Sequence, residues 1–310
     1  MRTTFARAGF PTMPIPSTDT PELIATPAEL RRWSAIAHAA GLSVGMVPTM
    51  GALHAGHRAL IDRAVAENDL VVVTVFVNPA QFGSGEDFGR YPRTMDADRA
   101  MLGNAGVHAA FVPTVEAMYP PGLVTRLGIA GPLGERLEGA SRPGHFDGVA
   151  LIVTKLLVAG LPDRAYFGQK DAQQCAVVRH LARDLDTGVQ IVVCPTVRDT
   201  DGLAISSRNV YLSPADRIRA LAIPSSLATA MAQFDAGERD PSALATTVRS
   251  RLEKEGLDVD YIAVVEPDTF VEVETAAPTN QIVLAARIGG TRLIDVVRLG
   301  VDTAPVGRGV

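Results

Sequence analysis

Segments rich in apolar residues alternate with amphipathic segments through the first two-thirds of the chain. Apolar runs predict strands at 42–48, 70–78, 107–112, 164–167 and 189–194, and apolar positions at helical spacing predict helices at 56–68, 96–105, 148–159 and 171–184. Buried strands that alternate with helices are typical of a parallel sheet covered on both faces. The expected fold class is therefore α/β.

The pattern changes near Pro195, where a second unit is expected to begin. The following segments predict two amphipathic helices at 214–236 and 241–256, and strands at 259–265 and 281–286. The polar segment 199–211 is expected to be a hinge between the units. We therefore predict a domain at 22–195 and a smaller α+β domain at 196–310, preceded by a proline-rich, flexible leader at 1–21.

Composition narrows the functional classes. The 310 residues are 47% hydrophobic and 20% charged, and the net charge of −5 offers no basic field for nucleic acid. No apolar run approaches the roughly 20 residues that span a bilayer, so no membrane partner is expected. Cys175 and Cys194 lie in apolar surroundings and form no Cys-x-x-Cys pair, which predicts reduced core residues in a cytoplasmic protein.

Two histidines three residues apart are the most informative local feature. His54 and His57 follow a short apolar run and the turn 48–51, and helical spacing follows them. In the first turn of a helix both rings would project from one face, beside unpartnered backbone N–H groups and the positive end of the helix dipole. Such a place suits the phosphates of a nucleotide. Gly56, between the rings, would let a ligand approach the backbone closely.

Two further polar loops follow predicted strands. Gln81 comes shortly after the strand at 70–78, and Lys170 and Asp171 come after the strand at 164–167. Ligands of parallel sheets bind beyond the carboxyl ends of the strands, so these loops predict one shared cleft. Each also has an ordinary structural interpretation, since Gln81 could be a turn-capping amide and Lys170 with Asp171 a solvated loop with a helix cap.

The hinge segment adds a third group of polar side chains. Ser206 and Ser207 supply hydroxyl donors, and the guanidinium of Arg208 suits bidentate contacts with phosphate. This triplet is a weak signal by itself, and its position in the hinge raises its value. We expect His145, in the loop 142–146, to stabilise that loop.

Several common motifs are absent from the sequence. It contains no Gly-x-x-x-x-Gly-Lys-[Ser/Thr], no clean Gly-x-Gly-x-x-Gly, no His-Glu-x-x-His and no Gly-x-Ser-x-Gly. These absences exclude a Walker-type ATPase and disfavour a dinucleotide dehydrogenase or a zinc hydrolase.

Five motifs, taken in order, resemble those of one enzyme family: 48–57, 76–82, 91–93, 168–171 and 206–209. Over about residues 40–295 the chain is similar to the pantothenate synthetases (pantoate–β-alanine ligases). The resemblance implies a Rossmann-like nucleotide-binding domain of the nucleotidyltransferase superfamily with a smaller C-terminal lid domain. It also implies a homodimer that joins (R)-pantoate and β-alanine with ATP and Mg²⁺, through pantoyl adenylate, releasing AMP and pyrophosphate.

The resemblance further implies roles for individual residues. The catalytic residues would be His54, Lys170, Arg208 and His57, the last as proton donor. ATP would contact Met50, Gly51, His54, His57, Gly168, Lys170, Asp171, Val197, Ser206, Ser207 and Arg208. Pantoate and β-alanine would contact Gln81, Gln174, Pro48, Thr49, Asn78 and Tyr91. Asp98 would bind Mg²⁺, and Gln169 stands where many family members have Glu.

Two other functions remain open on the sequence alone. A different nucleotidyltransferase of the His-x-Gly-His superfamily would make a stable nucleotidyl product, and it offers no reason for both Gln81 and Gln174 in the cleft. The other alternative is a non-catalytic nucleotide sensor. A sensor needs affinity for the nucleotide but has no need of both histidines and Lys170, so their presence argues against it.

Overall fold

The computed structural model describes residues 20–305, and the predicted leader therefore lies almost entirely outside the described residues. Its strands are β1 (Glu22–Ile24), β2 (Val44–Thr49), β3 (Leu70–Val75), β4 (Ala109–Phe111), β5 (Arg164–Gly168), β6 (Gln190–Cys194), β7 (Asp258–Val265), β8 (Gln281–Ile288) and β9 (Thr291–Arg298). Its α-helices are α1 (Pro27–Ala39), α2 (Ala55–Glu67), α3 (Met95–Asn104), α4 (Val115–Met118), α5 (Pro132–Glu135), α6 (Glu138–Ser141), α7 (His145–Gly160), α8 (Ala172–Asp184), α9 (Pro214–Ala220), α10 (Ala222–Asp235) and α11 (Pro241–Lys254).

The first six strands form the parallel sheet that the sequence pattern predicts, in the order β1-β4-β3-β2-β5-β6. Alternate residues of its strands point to opposite faces, so that Met46 and Val72 join one apolar core while Val47 and Val73 join the other. The strand order reverses between β2 and β5, because β3 and β4 lie on one side of β2 while β5 and β6 lie on the other. Chains that leave β2 and β5 therefore diverge and open a crevice at the carboxyl ends.

The C-terminal part is a small α+β unit, as expected. Strands β7, β8 and β9 form an antiparallel sheet, and its apolar face packs on α10 and α11 around Leu227, Leu244 and Leu284. A further apolar cluster joins the two parts: Phe146 and Val177 from the first contact Phe270 and Val283 from the second. The second unit is thus packed beside the carboxyl ends of the parallel sheet.

Several local features differ from the sequence-based expectations, and helices α1, α4, α5 and α6 were not predicted. Strands β1 and β9 were not predicted; β9 follows β8 through Gly289 and Gly290, whose φ values of +54° and +78° fit a two-residue hairpin turn. The helix predicted over 214–236 is instead two helices that part at Leu221. Pro224 explains the break, because it has no N–H to donate to the carbonyl of Ala220.

Within residues 20–305, no helix combines the length and the apolar character needed to cross a membrane. Cys175 and Cys194 are both buried and free, which agrees with the expectation of reduced core residues.

Close packing of α7 against the segment Pro79–Gln81 predicts that Gly148 tolerates no side chain. A Cβ at this position would lie 2.7 Å from the Cα of Gln81 and still closer to the carbonyl of Ala80. We expect Gly148→Ala to lower the free energy of unfolding by about 1–3 kcal/mol, measured by urea denaturation. Gly89→Ala, where a Cβ would have open space, is the control. Equal stability of the two variants would contradict the prediction.

Candidate active site

One cavity at the carboxyl ends of β2 and β5 collects the predicted site residues. All of them except Gly51 and Asp98 line it. They come from the ends of β2 and β5, from the loops after β2, β3, β5 and β6, from α8 and from the hinge: Pro48, Thr49, Met50, His54, His57, Asn78, Gln81, Tyr91, Gly168, Lys170, Asp171, Gln174, Val197, Ser206, Ser207 and Arg208. Apolar side chains such as Phe76, Val153 and Phe167 line its inner part. The cavity therefore combines an apolar floor with a charged rim.

The two histidines form the N-terminal cap of α2. His54 is the N-cap residue, and its Nδ1 accepts a hydrogen bond from Gly56 N at 3.2 Å. His57 Nδ1 accepts one from His54 N at 3.3 Å, and the rings stack with centroids 4.0 Å apart. Because each Nδ1 is an acceptor, the neutral ring carries its proton on Nε2. Both residues line the cavity and thus offer it Nε2–H donors.

Gly56 lines the cavity, and the structure gives it a second reason besides the predicted one. A Cβ at this position would lie 3.0 Å from the ring of His54. The absent side chain therefore makes room for the first histidine ring itself.

Both histidines are neutral at pH 7. Burial, reinforced by the charge of Lys170, lowers the pKa of His54 to about 4. Burial and the neighbouring His54 lower the pKa of His57 to about 3. In this state the rings are hydrogen-bond donors and not cations, so His57 is a poor source of a full proton.

The turn between β2 and α2 is held by Asp98. Gly51 adopts a φ of +80°, and its N–H donates to Thr49 Oγ1 at 3.1 Å. Asp98 accepts hydrogen bonds from Ala52 N at 3.0 Å and Leu53 N at 2.9 Å. The N–H of Gly51 is therefore engaged within the turn, next to the cavity wall formed by Met50.

The interpretation of Asp98 as a Mg²⁺ ligand needs correction. The side chain is buried, and both oxygens accept hydrogen bonds from the turn, with a further one from Thr94 Oγ1 at 3.0 Å. In the described part of the chain, no group of three or more His, Cys, Asp or Glu residues could hold a metal ion. The carboxylate instead fixes the backbone that leads into the histidine pair.

The cations of the rim have internal acidic partners. Lys170 Nζ lies 3.3 Å from Asp171 Oδ2. Arg208 forms a two-pronged ion pair with Asp87, with both N–O distances 2.9 Å. Burial alone would raise the pKa of Asp87, but Arg208 holds it below the ordinary value, so this carboxylate is ionised. Asp87 was not predicted from the sequence, although its place in a glycine-rich loop shortly after Gln81 was a usable signal.

The amide of Gln81 is oriented by a buried neighbour. Asn78 donates from Nδ2 to Gln81 Oε1 at 3.0 Å and to Gly148 O at 3.2 Å. Its Oδ1 accepts a hydrogen bond at 2.6 Å from the hydroxyl of Tyr119, a residue that was not predicted from the sequence. The Gln81 oxygen is thus engaged, and one N–H of its NH₂ group donates to Met50 Sδ at 3.5 Å. The NH₂ group is therefore the part of the amide that can donate to a ligand acceptor.

His145 supports the same loop from behind. Its Nε2 lies 3.0 Å from Arg142 Nη1 and its Nδ1 lies 2.8 Å from Gln81 O. A guanidinium only donates, so Nε2 accepts and Nδ1–H donates to the carbonyl. Arg142 is held in turn by Glu86 at 2.7 Å. The structural role expected for His145 thus extends to the backbone of Gln81.

The chain is similar to known proteins over most of its length. Residues 22–298 match a family model described as pantoate-beta-alanine ligase. A pantothenate synthetase of Acidobacterium capsulatum is 52% identical over 259 residues, which cover 83% of this chain and 86% of the relative. The solved pantothenate synthetase of Thermus thermophilus has a TM-score of 0.83 at 45% identity and covers 89% of this chain and 98% of its own. A pantoate-beta-alanine ligase of Francisella tularensis, solved in complex with beta-gamma ATP and beta-alanine, has a TM-score of 0.72 at 32% identity, covering 90% and 97%.

The lowered pKa of His57 predicts a loss of stability in acid. Above about pH 6.5 the ring is neutral in both states, and below it the unfolded chain gains a proton that the folded ring accepts only near pH 3. As the pH falls from 6 to 4, His57 should therefore lower the free energy of unfolding by up to about 1.4 kcal/mol per pH unit. Urea unfolding of His57→Gln should show a shallower pH dependence than the wild type. An identical pH dependence of the free energy of unfolding in the two proteins would refute the lowered pKa of His57.

The role of Asp98 can be separated from metal binding. Asp98→Asn would turn an NH₂ group toward backbone N–H donors, so we expect a loss of about 1–3 kcal/mol in the free energy of unfolding. The exposed Asp96→Asn, two residues earlier, is the control. The Mg²⁺ concentration for half-maximal activity should be the same in both variants, and a large increase confined to Asp98→Asn would restore the metal-ligand hypothesis.

Proposed function

Because the chain belongs to the pantoate-β-alanine ligase family, we propose that it joins pantoate to β-alanine at the cost of ATP through a pantoyl adenylate. The observation that carries the proposal is the makeup of the cavity. Two neutral histidines, a lysine and an arginine form one part of its wall, and Gln81 and Gln174 form another. A polyphosphate and a hydroxy acid are the two kinds of ligand that suit these groups.

The first step joins the two substrates. A pantoate carboxylate oxygen attacks the α-phosphorus of ATP, and the bond from this phosphorus to the bridging oxygen of pyrophosphate breaks. Negative charge moves to the departing pyrophosphate, where Lys170 and Arg208 supply positive charge. The Nε2–H donors of His54 and His57 stabilise the phosphate oxygens without giving up a proton, and such fixed donors lower the barrier because they need no reorientation.

The second step makes the amide. The amine of β-alanine attacks the carbonyl of the mixed anhydride, AMP leaves, and the nitrogen loses a proton. In this scheme the NH₂ group of Gln81 holds the pantoyl group in place throughout. Adenylation supplies the leaving group that a free carboxylate lacks, and positioning supplies the rest.

Magnesium enters the proposal only with the nucleotide. Mg²⁺ bound to ATP keeps several waters and needs few protein ligands, and the described residues offer no carboxylate cluster for it. No residue of the chain is assigned to it. From the family resemblance we also propose a cytoplasmic homodimer and a lid function for the domain at 196–310.

Isotope exchange between pyrophosphate and ATP tests the proposal. We expect exchange only when pantoate is present, and AMP formation only when β-alanine is added. His57→Ala and Lys170→Ala should each lower the exchange rate by roughly 10²–10³, because each removes one donor to the reacting phosphates. Gln81→Ala should mainly raise the pantoate concentration needed for half-maximal rate.

Two outcomes would count against the ligase, and a third would count against the role of His57. Exchange supported by glycerol phosphate or pantetheine phosphate would indicate another nucleotidyltransferase. ATP binding without AMP formation would favour a sensor. Near-normal adenylation in His57→Ala would remove the histidine from the mechanism.

A further inference from the structure

A second cavity, of about 590 Å³, lies behind the charged rim of the first. The two cavities share Lys170, Asp171, Ser206 and Arg208, whereas Asp87 lines only the second. The exposed residues 83–85 form its outer wall. Lys170 and Arg208, the two cations proposed to bind the polyphosphate, thus lie between the substrate cavity and a path toward solvent.

The geometry of in-line displacement determines on which side of the α-phosphorus the pyrophosphate leaves. The carboxylate and the leaving pyrophosphate stand on opposite sides of the α-phosphorus. With pantoate near Gln81, the pyrophosphate emerges at Lys170 and Arg208, next to the second cavity.

The ion pair between Arg208 and Asp87 stands at this point. The carboxylate takes Nε and Nη2 of the guanidinium, which form one of the two edges that can make a bidentate phosphate contact. Asp87 is 12% exposed and Arg208 29%, so each would be left with a partly buried charge if the other moved away unreplaced. Arg208 can therefore exchange one anionic partner for another, whereas a state in which its guanidinium has no anionic partner is unfavourable.

We propose that the second cavity is the release path of pyrophosphate and that Asp87 displaces the leaving pyrophosphate from Arg208. This inference rests on the proposed function. Asp87 gives way when ATP binds and returns to the guanidinium as pyrophosphate departs. It is a positioning residue for product release and takes no part in bond making.

Glu86 provides a matched comparison. It carries the same charge, is the neighbouring residue, and lines the same cavity, but it pairs with Arg142 at 2.7 Å and not with Arg208. Removing its charge takes one carboxylate from the same cavity and leaves the Arg208 pair intact.

Product inhibition by pyrophosphate tests the proposal in the full-length enzyme. Asp87→Asn and Asp87→Ser should each lower the inhibition constant of pyrophosphate at least about tenfold. In both variants the carboxylate that competes with pyrophosphate for the Arg208 guanidinium is lost. Inhibition by AMP, which lacks the pyrophosphate group, should not change. Glu86→Gln should leave both constants as in the wild type.

A double-mutant cycle shows whether the effect passes through the guanidinium. In an Arg208→Lys background, which cannot form the two-pronged pair, Asp87→Asn should change pyrophosphate inhibition less than twofold. Unchanged inhibition in both single Asp87 variants, an equal effect of Glu86→Gln, or a full effect in the lysine background would each overturn the proposal. Wild-type enzyme without pantoate-dependent exchange would instead overturn the proposed function, so the two failures are distinct.

Discussion

The reversal of strand order between β2 and β5 is the constraint on which the site depends. Two adjacent parallel strands end at the same edge, and their chains turn away in opposite directions. One chain continues into the helix capped by His54 and His57, and the other into the loop with Lys170. Groups more than 100 residues apart therefore face one crevice without any long loop to carry them there.

The charged groups of this crevice are already compensated within the protein. Burial keeps the histidines neutral, Lys170 lies beside Asp171, and Arg208 is paired with Asp87. An isolated buried charge is unfavourable. In the absence of a polyanionic ligand, carboxylates of the chain itself therefore pair with the cations of the site. Binding then becomes an exchange of anions, which limits how tightly the product is retained.

Some residues act by fixing other residues of the site, and their contacts are as specific as those of the groups they fix. Asp98 fixes the turn before α2, while Asn78 and His145 fix the side chain and the carbonyl of Gln81. None of these three contacts follows from a general preference of its residue type. Each contact holds a part of the site in the one orientation that ligand binding requires. Such preorganisation makes fixed hydrogen-bond donors effective.

Local sequence patterns were enough to predict the parallel sheet and the α+β unit, and to place the two histidines, Gln81 and Lys170 at one cleft. Most of the other predicted residues of the cavity wall came from the family resemblance. Period-two and helical patterns report burial locally, and loops at strand ends meet wherever strands are parallel. The partners of the charged groups, by contrast, depend on tertiary contacts: Asp87 lies 121 residues from Arg208, and Asp98 45 residues from Leu53. A carboxylate in a sequence has the same chemistry whether it binds a metal, a backbone turn or an arginine. Which of these it meets depends on the packing of distant elements, and no local pattern records that.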